Sequence, residues 1–192
     1  GFPGGGFPGG GFPGGGFPGG GFPGFGGGKA NTTYFDEGIN TGYKWFDENS
    51  IEPQFDFGYG LSYTTFTQTI KSSDVSLKAH GTNSVTVTVE NTGSVAGKEI
   101  VQLYMDAPYH QDGSLGISGK GLEKSKVVLV GYAKTDEIEA GKTQDVTIEF
   151  KTDDLASFDN FGQGCYVLEK GEYHFNLQDN AQVGGQAVLG RQ

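Results

Sequence analysis

From residue 68 onward, apolar and polar positions alternate with a period of two, the pattern of half-buried β-strands. Val85, Val87 and Val89 alternate with Thr86, Thr88 and Glu90. Val146, Ile148 and Phe150 alternate with Thr147, Glu149 and Lys151, and Tyr173, Phe175 and Leu177 with His174, Asn176 and Gln178 after a Lys170-Gly171 turn. Residues 68–78 form the expected first strand region. Residues 100–105 are expected to pair with the Val85–Val89 strand across an Asn91-Thr92-Gly93 turn, and the nearly continuous apolar run at 126–133 to be a strand buried on both faces. Helical periodicity is almost absent; only residues 153–158 are expected to form a helical turn. Six or seven short strands at this spacing predict an all-β sandwich of two sheets. Val87, Leu103, Val128, Ile148 and Phe175 should point into its single interior, and about 120 residues suffice for such a core.

The stretch from Tyr34 to Phe66 breaks this pattern. It is dense in aromatics, glycines and acids and has no sustained period of either kind. It carries Glu37-Gly38-Ile39, then Gly42-Tyr43-Lys44-Trp45-Phe46-Asp47, then Pro53-Gln54-Phe55-Asp56-Phe57-Gly58-Tyr59-Gly60-Leu61-Ser62-Tyr63-Thr64-Thr65-Phe66. Downstream come Val89-Glu90-Asn91-Thr92-Gly93, Gly97-Lys98-Glu99-Ile100-Val101-Gln102-Leu103-Tyr104 and Leu129-Val130-Gly131-Tyr132-Ala133-Lys134-Thr135. The series ends with Gly141 to Ile148, Asp154-Leu155-Ala156-Ser157-Phe158-Asp159 and Lys170-Gly171-Glu172-Tyr173.

In this order, over roughly residues 34–180, these segments resemble the C-terminal part of family 3 glycoside hydrolases, the β-glucosidase/β-xylosidase group. The first set resembles the hinge that follows the catalytic region, and the rest the fibronectin type III-like (immunoglobulin-like) domain that ends such enzymes. The resemblance implies a parent that hydrolyses β-glucosides or related O-glycosides. It also implies that the nucleophilic aspartate and the acid/base glutamate, the two carboxyls such chemistry needs, sit on domains outside the matched segments. No catalytic, cofactor-binding or metal residue is therefore expected here, and this chain is expected to be inactive alone. Glu37, Asp47 and Asp56 fit turn-capping and surface roles. The aromatics of the hinge, from Tyr34 to Tyr63, fit packing against a missing domain.

Residues 1–25 are five copies of GFPGG, the last ending in Phe25. A period of five is incompatible with collagen, which needs glycine at every third residue. Each Pro-Gly pair favours a type II turn. So much glycine carries a high ordering entropy that five spaced phenylalanines cannot offset, so a disordered, elastin-like tail is expected. The organisation expected is a low-complexity repeat at 1–28, a hinge at 29–66, the sandwich at 67–180 and a C-terminal tail at 181–192. The chain begins without Met and inside a repeat, which reads as a piece of a longer protein.

Charge narrows the functions. Asp and Glu number 23 against 13 Lys and Arg, a net charge of -10. Nucleic acid is a poor partner for such a surface, because phosphate binding needs clustered Lys and Arg. Anionic membranes are equally poor, and no apolar run approaches the ~20 residues that span a bilayer. Cys165 is the only cysteine, and its neighbours Tyr166, Val167 and Leu168 suggest a buried strand thiol. Gly141-Lys142-Thr143 lacks the upstream glycine and following helix of a phosphate loop. His80, His110 and His174 lack metal-ligand spacing. The expected role is a non-catalytic accessory domain whose partners are the parent's catalytic domains. The rival readings are a carbohydrate-binding module, and a structural protein that self-associates through the GFPGG repeat.

Overall fold

The computed structural model describes residues 38–109, 122–160, 162 and 164–181, and the backbone of 186–191. The GFPGG repeat, its expected turns and Glu37 lie outside the described residues. The element order is α1 (Tyr43–Asn49), β1 (Phe66–Asp74), β2 (Thr82–Asn91), β3 (Ile100–Asp106), β4 (Val128–Lys134) and β5 (Thr143–Lys151). A 3-10 turn (Thr152–Leu155) follows, then β6 (Ser157–Phe158), β7 (Tyr166–Val167), β8 (Glu172–Gln178) and β9 (Gln186–Arg191). One sheet runs β1-β2-β5, the other β4-β3-β8-β9, and β6-β7 is a small hairpin. All pairings are antiparallel. The alternation thus resolves into a two-sheet all-β sandwich. Among the described residues, no helix is long and apolar enough to cross a membrane.

The interior is built from the predicted phases. Val85, Val87, Val89, Ile148 and Phe150 from one sheet face Val101, Leu103, Met105, Tyr173, Phe175 and Leu177 from the other. Val87, Leu103 and Phe175 have no exposed surface, and Ile148 has 2%; Val128 packs on the same core from its border. The Phe150 and Phe175 rings meet across the two sheets with centroids 5.1 Å apart, a contact worth more than its buried area alone. Gly131 lets the sheets approach: a Cβ there would lie 2.8 Å from Cγ2 of Ile148.

Two buried asparagines close the ends of β2. Asn83 accepts from the Ser76 N–H at 2.9 Å and donates to the Thr152 hydroxyl at 3.0 Å. Asn91 donates to the carbonyls of Val95 and Ile138, both at 2.8 Å. Its Oδ1 accepts from the Thr64 hydroxyl at 2.8 Å and the Gly93 N–H at 3.0 Å. Such satisfaction is what a fully buried amide requires. Gly93 must be glycine here, because a Cβ would overlap the Thr64 hydroxyl.

The structure departs from the sequence reading in four places, the first being that β9, within the expected C-terminal tail 181–192, pairs with β8. β3 is not the hairpin partner of β2: both neighbours of β2 are taken, by β1 and β5. The chain instead crosses to the second sheet past an isolated Gly97–Ile138 bridge. β4 is an edge strand, yet it is covered on both faces as its apolar run predicts. Its apolar run has two coverings, since Val128 and Val130 pack on the interior while Val127 and Leu129 pack on the opposite face. The hinge contains a helix, α1, entered through Gly42 (φ 63) and ended by Ser50 (φ 52). Seven residues are too few to display a 3.6-residue period. Cys165 is exposed, not buried, because β6 and β7 are two residues each and project as a hairpin rather than joining either sheet.

Candidate docking face

The hinge lies on the outer face of the four-stranded sheet. Tyr104 belongs to the outward phase of β3, yet it has no exposed surface, because Tyr43, Leu129, Val127 and Ala181 cluster around it. The Tyr43 ring stacks on Phe57 at 4.8 Å and meets Tyr104 edge-on at 6.4 Å. The Tyr43 hydroxyl accepts the Leu129 N–H at 2.9 Å, and the Ala181 N–H donates to the Phe57 carbonyl at 2.9 Å. The Tyr104 hydroxyl donates to Gln102 Oε1 at 2.8 Å, and Gln102 Nε2 donates to the Asp179 carbonyl at 3.0 Å. Burial pushes both phenols, Tyr43 and Tyr104, above the usual tyrosine range. Gly58 (φ +88) completes the seam: a Cβ there would overlap the Gln102 amide.

The other side of the hinge is bare. Nine of the 15 large hydrophobics exposed among the described residues fall between Ile39 and Tyr63. Leu61 is 91% and Tyr63 99% exposed. Large apolar side chains left exposed in such number within one short segment suit an interaction surface. Phe55 and Tyr59 stack on each other with centroids 5.5 Å apart, so one face of each ring is already covered.

Asp47 and Asp56 come together in a cleft of about 190 Å³, walled by Tyr43, Phe46, Pro53 and Phe57. Asp47 Oδ2 is buried and has no hydrogen-bond partner among the described residues. Desolvation pushes its carboxyl above the usual aspartate range, the Asp56 charge pushes the same way, and Lys126 opposes both. This is more than the surface role the sequence suggests for Asp47. A second cleft of about 370 Å³ is polar, with Gln68, Glu99, Gln102 and Asp179 in its wall; burial, then the nearby Asp179, raise the Glu99 carboxyl.

Other sequence candidates resolve into structure. Gly141 (φ +71) sits in the turn before β5, so Gly141-Lys142-Thr143 is a strand entry. His80 pairs with Asp153 at 2.8 Å, and His174 lies on β8, in register with Asp106. Sequence reasoning missed the buried ion pair of Lys124 and Glu169, whose side chains are 5% and 6% exposed. Lys124 also donates to the Pro108 carbonyl at 2.8 Å. Nothing local in the sequence announces a pair 45 positions apart.

Residues 99–181 match the fibronectin type III-like domain. The chain is 39% identical over 163 residues to β-glucosidase A of Butyrivibrio fibrisolvens, covering 74% of this chain and 18% of that protein. It is 37% identical over 147 residues to a β-glucosidase of Ruminococcus albus, covering 72% and 14%. Among solved structures, β-glucosidase 3B of Thermotoga neapolitana in complex with α-D-glucose superposes with a TM-score of 0.67 at 33% identity, covering 82% of this chain and 20% of that one. The Kluyveromyces marxianus β-glucosidase in complex with glucose gives 0.70 at 27%, covering 82% and 18%. The chain thus spans a fifth or less of the length of each of these relatives.

Proposed function

The chain carries the fibronectin type III-like accessory domain of family 3 β-glucosidases, and from that premise we propose that its hinge face docks it onto the catalytic domains of a parent glycosidase that hydrolyses β-glucosides or related O-glycosides. The observation that carries this reading is the two-sided hinge. One part is locked to the four-stranded sheet through Tyr43 and Phe57 and to the end of β2 in the other sheet through Thr64, while Leu61 and Tyr63 are left almost wholly exposed. Chemistry belongs to the partner in this reading, and the module contributes stability and placement.

The test uses β-glucosidase A of Butyrivibrio fibrisolvens cut before its matched segment. Adding the present chain should raise the thermal midpoint and the activity of the truncated enzyme, and Leu61→Asp with Tyr63→Asp should abolish the effect. If the relative's own excised segment rescues the enzyme and this chain does not, the docking reading is wrong.

A saccharide contact is the second reading, favoured by the polar cleft at Gln68, Glu99, Gln102 and Asp179 beside exposed Tyr63. Carboxylates and amides hydrogen-bond vicinal hydroxyls, and a tyrosine ring offers a face to a pyranose. Cellobiose titration of the chain alone discriminates: saturable shifts at Glu99 and Gln102 support it, and their absence removes it.

A further inference from the structure

The Asp47 cleft is unfinished as an electrostatic object. Its walls are rings and a proline, and its floor holds a carboxylate oxygen out of reach of solvent and of every donor among the described residues. Removing an acceptor from water without a donor costs roughly 1–3 kcal/mol, and more for a charged group. Asp56, in the same wall, adds negative charge where a cation is wanted. Lys126, the cation whose charge acts on Asp47, does not supply it by a hydrogen bond. Its ammonium is engaged by Glu48, donating to that residue's carbonyl at 3.3 Å and facing its Oε2 at 3.9 Å. The backbone of the chain's only arginine, Arg191, lies at the far end of the β8-β9 pair from Ala181. It lies at the end of β9 paired with Glu172, the first residue of β8, whereas the cleft borders Ala181, beyond the last residue of β8. Six residue steps of strand separate the two ends of β8, about 20 Å at ~3.3 Å per residue.

Resting on the docking reading, we propose that this cleft is a socket for an arginine side chain of the polypeptide that packs on the hinge, with the guanidinium paired to Asp47 and lying against Phe46 and Phe57. A guanidinium suits the walls as well as the charge. It is planar, weakly hydrated and always charged, it pairs with carboxylates in a two-pronged geometry, and it stacks on aromatic faces. A lysine ammonium is a strongly hydrated point charge that satisfies Asp47 without using the rings. Four-fifths or more of the length of the relatives lies outside the part this chain matches, which is where such a residue would reside.

The experiment uses the full 192-residue chain, labelled for amide NMR, and two probes: N-acetyl-arginine methylamide and its lysine counterpart. The arginine probe should give saturable shifts across residues 43–57, with the lysine probe binding several-fold more weakly. Asp47→Asn should weaken arginine binding by about tenfold, the scale of one charge-assisted hydrogen bond. Asp56→Asn, which leaves α1 untouched, should weaken it by a smaller factor. No saturable shift, equal response to lysine, or unchanged binding in both variants overturns the proposal. Rescue of the truncated relative does not depend on the free probe. Rescue without a guanidinium response therefore sinks the socket alone, and failed rescue sinks the docking reading.

Discussion

The hydroxyl of Thr64 donates to Oδ1 of Asn91 at 2.8 Å, joining the end of the hinge to the end of β2 across 27 residues of sequence. The same asparagine holds Val95 and Ile138 with its amide nitrogen, so one side chain fixes the hinge, the crossover and the Gly97–Ile138 bridge together.

Asn91→Ala should therefore be among the most costly polar substitutions in the domain. It removes a partner of the Thr64 hydroxyl, the Gly93 N–H and the Val95 carbonyl, while the Ile138 carbonyl keeps the Gly97 N–H. Each orphan left away from water costs ~1–3 kcal/mol. The expected loss exceeds ~3 kcal/mol in urea melts. Thr64→Val should cost about 1 kcal/mol. The double variant should lose less than the sum, because the two residues share a bond. Strict additivity would mean that the contact carries no energy.

Strand phase is read by a paired alanine series. Val87, Leu103, Ile148 and Phe175 are buried in one core, and truncating each should cost ~2–5 kcal/mol. Thr86 and Thr147 bond each other at 2.9 Å in an exposed position, and each should tolerate alanine within ~0.5 kcal/mol. Asn176 should not be so tolerant. Its Nδ2 donates to Asp106 Oδ2 at 2.9 Å and lowers a carboxyl that burial raises.

Lys124 and Glu169 test the buried charge pair. Lys124→Met leaves Glu169 charged and enclosed, at a cost of ~3–5 kcal/mol. Changing both residues to methionine should restore most of that, since an apolar replacement of a whole buried pair is often neutral or better. Denaturant midpoints of the three proteins decide the matter; a double variant as weak as the single one would show that the pair itself stabilises.

The Asp47 carboxyl makes stability depend on pH in a definite direction. Its folded pKa is raised, chiefly by desolvation, so the folded chain holds that proton more tightly than the unfolded chain, whose carboxyl titrates near ~3.9. Stability contributed at this site falls as pH rises through the raised value, and the penalty is complete at neutral pH. Asp47→Asn should raise the thermal midpoint of the isolated chain at pH 7, and the gain should vanish below about pH 4. A variant that is destabilised at neutral pH would show that Asp47 is already paired.

The sandwich is legible because alternation encodes which face of a strand is wet. Val85, Val87 and Val89 need no partner to declare their direction. The hinge is not legible in that way. Tyr104 and Leu129 sit on a nominally outward phase and are buried by Tyr43, 61 and 86 residues upstream of them. The Asn91-Thr92-Gly93 motif reads as the turn of a strand pair but ends β2 before a crossover to the other sheet, and the reason for its asparagine lies in Thr64 and Ile138. Asp47 looks like one acid among many until the cleft shows that its carboxylate has no donor among the described residues. Long-range pairs such as Lys124 with Glu169 leave no local trace.

The position of β1 and β2 bears on how this module can be exchanged between proteins. The recognisable domain signature begins at residue 99, yet two of the three strands of one sheet precede it, and the hinge before them seals the outer face of the other sheet. A crossover at the signature boundary, whether by gene fusion or by chimaera design, would cut through the β-sandwich and remove Leu77, Val85, Val87 and Val89 from its interior. The heritable unit is the hinge with both sheets, so natural shuffling of this module should leave breakpoints upstream of α1 and none between β2 and β3.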